Sequence, residues 1–410
     1  MITRRAFLKT SSMIALGASV PSFLSKTAAQ APIATRPGAR DTILVVVQLT
    51  GGNDGLNTVI PHADPEYARL RPTLRQSRDQ VRRINDQIGL HPSMNALADL
   101  LQDQSLCIVQ GVGYPNPSQS HFRSMDIWQA ASTERDLNEG WIGKALRHVP
   151  AASSFHLAGN NEAAPLALTG SPVRVPSITS LADFQLRIEA AGNADRRAQQ
   201  QVIETSALPA GGVPAAGLLD FVQRTATNTY ASSHRLQELG RTYEPRVPYP
   251  TSALANHLRL AAQLIDGGLG ARLFYVTLDG FDTHAGQAGP HANLLREVSD
   301  AISAFYRDLS QRGHRDRLMI MTFSEFGRRA RENGSRGTDH GSGAPMFLVG
   351  GRVKPGLVGA HPSLTNLEDG NLRHHTDFRQ VYATLLDSWL GVPSRQVLGQ
   401  EFQPVDVLRS

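Results

Sequence analysis

The run Ile43-Leu44-Val45-Val46-Val47-Gln48-Leu49 and the turn after it constrain the fold most. A nearly unbroken apolar, β-branched run reads as a strand buried on both faces, the kind found in α/β sheets with helices on each side. It stops at Thr50-Gly51-Gly52-Asn53-Asp54-Gly55. A glycine-rich turn after a buried strand is where such folds place ligand-binding groups.

The pattern recurs along the chain. Residues 94–104 read as a helix, Leu106–Gln110 as a second apolar strand, Gly111–Pro117 as a loop and 121–131 as a helix. A helix at 253–267 precedes a strand at 272–278, and a helix at 291–312 precedes a strand at 317–323. Pro345–Val349 is a further apolar segment, and a last helix runs from Asp377 to Leu390. Such alternation predicts a largely parallel sheet covered by helices on both faces. The stretch from about 150 to 250 is rich in Ala, Gly, Ser and Pro, lacks strong strand signals, and places its helices at 181–191 and 214–240. It reads as an insertion or cap on a single domain, residues 32–410.

The N-terminus reads as an address. Arg4-Arg5-Ala6-Phe7-Leu8-Lys9 leads into an apolar stretch from Met13 to Leu24, and Ala29-Gln30-Ala31 forms a small-x-small cleavage site. That is the order of a secretory signal over residues 1–31, and the paired arginines resemble the twin-arginine type. The expected partner is the twin-arginine export machinery, and the expected location is periplasmic or secreted. The apolar run falls short of the roughly 20 residues that span a bilayer, so no stable membrane anchor is expected. Of the 41 Lys and Arg, four stand in residues 1–31, which leaves 37 against 36 Asp and Glu. A body so near neutrality argues against non-specific nucleic-acid binding. The single cysteine, Cys107, excludes an intrachain disulfide framework and a Cys-rich zinc module.

Polar clusters abut the expected strands: Asp54 in its glycine turn, Asp279-Gly280-Phe281-Asp282-Thr283-His284, Ser324-Glu325-Phe326-Gly327-Arg328, and Gly337-Thr338-Asp339-His340-Gly341. Strand ends on one edge of a parallel sheet converge on one crevice. Carboxylates and imidazoles without thiols suit Zn, Mn or Mg and a hydrolytic metal centre. Each cluster also has a plainer reading. Asp54 alone fits a turn carboxylate, Asp282 a helix cap, and Glu325 with Arg328 a local ion pair. His291, His314, His361, His374 and His375 are assigned to the surface or to caps.

These strings resemble those of the DUF1501 family of secreted bacterial proteins. They are Leu49–Asn57, Ser120-His121-Phe122, Phe281–His284, Ser324–Arg328 and Gly337–Gly341. That family is grouped with alkaline phosphatase-like proteins, which include sulfatases and phosphodiesterases. The resemblance implies a three-layer α/β/α sandwich with two divalent metal ions at the strand ends. It implies metal ligands at Asp54, Asp282, His284, Glu325 and His340, with Asp339 beside His340. Phe326 stands where the wider superfamily has a ligand histidine. The nucleophile implied is Ser120, next to His121, and Ser120 is equally well placed as a helix N-cap. Arg328 is either a clamp on a substrate oxygen or a structural ion-pair partner.

The function expected is therefore an exported, metal-dependent hydrolase of phosphate or sulfate esters, acting on a small anionic ester. The alternative is a secreted, non-catalytic binding or scaffold protein on the same fold, favoured by Phe326.

Overall fold

A computed structural model describes residues 41–149, 153–159, 164–171, 175–181, 238 and 240–409. The chain divides into a large unit (Thr35–Ser177, Pro245–Asp266 and Gly270–Ser410) and a smaller one containing Ile178–Glu244. Almost all of the smaller unit lies outside the described residues, as do residues 1–31, where a signal segment is expected, and nearly all of the helices expected at 181–191 and 214–240. Among the described residues no helix is long and apolar enough to cross a membrane.

The large unit is built on one main sheet. Its strands are β1 (Ile43–Leu49), β2 (Leu106–Gly113), β3 (Ser153–Leu157), β4 (Ala271–Leu278), β5 (Leu318–Phe323), β6 (Ala344–Gly350) and β7 (Gly356–Val358). Their order across the sheet is β7-β2-β6-β5-β1-β4-β3. β1 pairs in parallel with β4 and with β5, and β3 pairs in parallel with β4. β6 runs antiparallel to both of its neighbours, β5 and β2. The sheet is thus mostly parallel, as expected, with one reversed strand. That reversal positions the site: β6 begins on the edge where β1, β4 and β5 end. The segment before β6 therefore reaches the same edge as the segments after the other three.

Strand β3 corrects the reading of the 150–250 stretch. Ser153-Ser154-Phe155-His156-Leu157 sits in the sheet beside β4 with Phe155 and Leu157 fully buried. Its two serines and its histidine hid it, because tertiary pairing overrode a weak local β-propensity.

All seven residues of β1 are buried, so both faces of the sheet are covered. Leu44 and Val46 face an aromatic layer built from α3 (His121–Ala130), α4 (Trp141–Ala145) and α7 (Phe378–Thr384). There Trp128 stacks on Phe378 at 4.2 Å between ring centres, and Trp141 stacks on Tyr382 at 4.4 Å. Offset stacking of this kind adds about 0.5–1.5 kcal/mol per pair beyond area burial. α5 (Ala253–Asp266) packs on β4, and α6 (Ala288–Gln311) packs on α5 and on α2 (Asn95–Gln102). Helix α1 (Pro65–Leu70) starts from Asp64, whose side chain accepts the Glu66 amide at 2.9 Å, with Pro at the first turn. These are ordinary N-terminal signals.

Candidate metal centre at the sheet edge

The segments after β1, β4 and β5 and the one before β6 are sewn together by backbone approach. Gly51 has a φ of 115°, and a Cβ there would stand 2.4 Å from the Asp282 amide nitrogen. Only glycine lets the turn after β1 lie against the loop after β4. An isolated bridge joins Arg328 to His340, and the Arg329 amide donates to the Asp339 carbonyl at 3.0 Å.

Asp282 is the centre of what converges. Its Oδ1 lies 3.0 Å from His284 Nε2 and 3.1 Å from His340 Nε2, and those two nitrogens lie 2.9 Å from each other. Its Oδ2 lies 3.4 Å from His121 Nε2. Two ligand atoms held about 2.0–2.1 Å from one tetrahedral ion stand roughly 3.3 Å apart, so these spacings suit a shared ion.

The second nitrogen of each ring settles its tautomer. His121 Nδ1 donates to Glu325 Oε1 at 2.8 Å, His284 Nδ1 to Asp339 Oδ1 at 3.3 Å, and His340 Nδ1 to the Gln119 carbonyl at 2.8 Å. A carboxylate and a carbonyl can only accept, so each Nδ1 carries a proton, and a ring with no second proton presents its Nε2 lone pair to the shared point. With both Nδ1 protons placed, His284 Nε2 and His340 Nε2 face each other at 2.9 Å, and without an ion His340 Nε2 is left to donate to Asp282 Oδ1 at 3.1 Å. His121 Nε2 is buried without a hydrogen-bond partner. A cation between the rings satisfies all three. A histidine that gives its other N–H to a carboxylate or a carbonyl is the usual arrangement of a metal ligand. Among the described residues His121, Asp282 and His340 form one group able to hold an ion, and His284 reaches the same carboxylate oxygen.

Asp282 is about half exposed, yet its carboxyl stays ionised to low pH. Burial pushes its pKa up, but hydrogen bonds from Arg328 and His340 and the charges of Arg328 and His121 outweigh that and bring it down to about 2. The Asp339 carboxyl is likewise lowered, chiefly by the Asn333 side-chain amide and then by His284.

Several expected residues take other places. The structure does not bring Asp54 to this group. Its Oδ2 accepts from Arg71 Nη1 at 2.5 Å and its Oδ1 from Arg71 Nη2 at 2.9 Å, with Gln287 also donating, and both charged side chains are fully buried. Burial alone would raise the Asp54 pKa, but the Arg71 charge and hydrogen bonds hold it at about 2. Glu325 is fully buried behind His121, accepting the Gly51 amide at 2.9 Å as well, so it orients a ligand and does not face the shared point. Asp54 and Glu325 thus both bond protein groups in this structure.

Arg328 resolves toward the structural side of its two readings. The side chain is 1% exposed, and its Nε donates to the Gly52 carbonyl at 2.7 Å and its Nη1 to the Thr338 carbonyl at 2.7 Å. Its Nη2 donates to the Phe281 carbonyl at 3.0 Å, to Asp282 Oδ1 at 2.7 Å and to the Gly51 carbonyl. It ties three chain segments together and aims Asp282, with four of its five N–H groups engaged by the protein. Ser120 occupies the N-cap position of α3, but its hydroxyl makes no capping bond and the residue is exposed. His291 is corrected from surface to core. It is 1% exposed, with Nε2 2.9 Å from Asn53 Oδ1. Arg71, outside every motif, gave no signal in the sequence beyond being a lone arginine after a short helix.

The fold and the site define an α/β protein whose sheet edge gathers three imidazoles around one carboxylate. The chain belongs to the family described as "Protein of unknown function (DUF1501)", whose model matches residues 41–401, as its motifs indicated. No curated protein matches it. Among solved structures it is similar to a protein in the alkaline phosphatase superfamily from Vibrio parahaemolyticus, with TM-score 0.39, 11% identity, 92% of this chain and 76% of that one covered. It is also similar to the PsFucS1 sulfatase from Pseudoalteromonas sp., with TM-score 0.37, 13% identity and coverage of 90% and 74%. A third is the C-terminal periplasmic domain of EcEptC from Escherichia coli in complex with Zn, with TM-score 0.36, 9% identity and coverage of 75% and 73%. None of these scores reaches 0.5.

Proposed function

We propose that His121, Asp282, His284 and His340 hold a divalent cation and that the protein is an exported hydrolase of phosphate or sulfate esters. The observation that supports this most is the 2.9 Å approach of His284 Nε2 to His340 Nε2 while both rings spend their Nδ1 protons elsewhere. Three imidazoles and a carboxylate suit zinc or manganese, whereas magnesium takes oxygen ligands. When bound, such an ion supplies Lewis-acid polarisation of an ester oxygen. The protein's own groups do the rest. Glu325, Asp339 and the Gln119 carbonyl fix the imidazole tautomers, Arg328 orients Asp282, and Ser120 offers an exposed hydroxyl one residue from His121. Export rests on the Arg4-Arg5 signal.

A second reading, a metal-holding binding protein without turnover, is favoured by Arg328, four of whose five N–H groups are engaged internally. The test is metal analysis of the natively exported protein together with hydrolysis of generic phosphate and sulfate monoesters and diesters. The hydrolase reading expects one divalent ion per chain, with ion and turnover lost together in His340→Ala. An ion without turnover on any ester leaves the binding reading, and a chain exported without any divalent ion overturns both.

A further inference from the structure

Four arginines stand between Gly327 and Gly337: Arg328, Arg329, Arg331 and Arg336. Arg328 is consumed as a buried tie. The other three are exposed, and among the described residues they form no ion pair.

The backbone fixes where they stand. Arg329 is locked beside Asp339, whose Oδ1 touches His284. The Arg336 carbonyl accepts from the Gln287 amide at 2.9 Å, and its own amide donates to Asn333, whose side chain bonds both Asp339 and the His284 carbonyl. Arg331 lies between Ala330, whose carbonyl accepts from Arg71 Nε at 2.7 Å, and Glu332, whose amide donates to the Leu70 carbonyl. The same contact brings in Arg75, whose amide bonds the Arg71 carbonyl at 3.1 Å and whose exposed side chain also lacks an ion pair. Among the described residues no local carboxylate forms an ion pair with these side chains, and the Arg329 charge acts on Asp339 from beyond contact. Glu332 is spent on the amides of Thr73 and Leu74, and Asp339 on His284 and Asn333.

Several exposed arginines without ion pairs on neighbouring stretches of backbone, on a body close to neutral overall, suit an anion that repeats. The planar fork of arginine matches the paired oxygens of sulfate and phosphate groups. A nucleic acid would also need aromatic faces for its bases, and among the described residues Phe122 is the one exposed large hydrophobic side chain. One such face, next to His121, does not make a stacking platform for successive bases.

We propose that Arg75, Arg329, Arg331 and Arg336 form a rim that binds a sulfated polysaccharide beside the metal centre. That the bound chain presents one of its sulfate esters to that centre rests on the reading given above.

The test is salt-gradient elution of the mature, metal-loaded protein from immobilised dextran sulfate, with neutral dextran and poly(dT) as comparisons. The wild type is expected to be retained by dextran sulfate and not by neutral dextran. The variant Arg75→Ala/Arg329→Ala/Arg331→Ala/Arg336→Ala is expected to elute at lower salt. The slope of log Kd against log salt should fall by roughly one for each arginine removed. Each single alanine variant is read in the same way, which keeps the test valid if the fourfold variant melts early. Unchanged elution in all of them overturns the rim, and equally tight binding of poly(dT) overturns the polysaccharide assignment. His284→Ala is expected to lose the metal and keep dextran sulfate binding. Retention by the rim in a protein that hydrolyses no ester would therefore leave the rim standing and remove only the hydrolase reading.

Discussion

Glu325 holds His121 from behind: Oε1 accepts a hydrogen bond from the ring's Nδ1 at 2.8 Å, while the carboxylate has no exposed surface of its own. Removing a carboxylate that orients a metal-ligating imidazole typically costs 10–100-fold in metal affinity. Glu325→Gln is expected to weaken divalent-ion binding by about that factor while leaving the fold intact, measured by competition with a chelator of known affinity. Unchanged affinity would show that His121 is not a ligand.

Asp54 and Arg71 form the buried pair that the sequence hid. Breaking such a pair by removing one partner costs about 3–5 kcal/mol, because the remaining charge is stranded. Arg71→Met is expected to lower stability by that order in urea unfolding, with metal content unchanged. Loss of the ion in Asp54→Asn without loss of stability would instead restore Asp54 as a ligand.

The acid limb of the stability curve should begin near neutrality. Burial holds the His291 pKa at about 4, against the opposing pull of Asp54, well below its ordinary 6.5. As pH falls from about 6.5 the unfolded chain binds that proton and the folded one does not, so stability declines until about pH 4 and then levels for this group. The slope from His291 alone is about 1.4 kcal/mol per pH unit in mid-range. Asp54 acts lower: its contribution is intact above the unfolded value of 3.8 and fades as pH falls through about 2. Urea unfolding of wild type and His291→Gln at about pH 4–7 isolates the first effect, since acid-linked loss of metal is common to both. Parallel curves would refute it.

Export should depend on the arginine pair. Arg4→Lys with Arg5→Lys is expected to leave precursor in the cytoplasm, seen by fractionation and immunoblotting. Normal export of the double variant would remove the twin-arginine assignment.

Much of the fold could be read from pattern alone. The strands expected at 272–278, 317–323 and 345–349 are found at Ala271–Leu278, Leu318–Phe323 and Ala344–Gly350. Continuous burial writes itself into composition. Helix 253–267 is found at Ala253–Asp266, whereas the helix expected from Asp377 to Leu390 is α-helical only to Thr384 and continues as a π-turn over Leu385–Leu390. Strand direction was not legible. Nothing in Ala344–Gly350 says that it runs backwards, yet that is what puts His340 on the right edge. Which carboxylate faces outward was not legible either. Asp54 and Asp282 both follow apolar strands, and only the distant Arg71 and Arg328 decide that the first is sealed and the second offered. His121 could be flagged from its motif, but its link to Glu325 spans 204 residues of sequence.

The reversed strand has a consequence for how this family can vary. The segment from Ser324 to Gly343 leaves β5 and returns into β6, its immediate neighbour. Its two anchor points therefore stand about 5 Å apart, the spacing of paired strands. Its middle, around Arg331 to Arg336, belongs to no strand, yet Glu332, Asn333, Ser335 and Arg336 fasten it to Leu70, His284, Gly286 and Gln287. Asp282 and His121 come from other segments altogether. The exposed side chains of Arg329, Arg331 and Arg336 can thus be exchanged without moving a strand, whereas losing Asn333 frees Asp339 and the His284 carbonyl together.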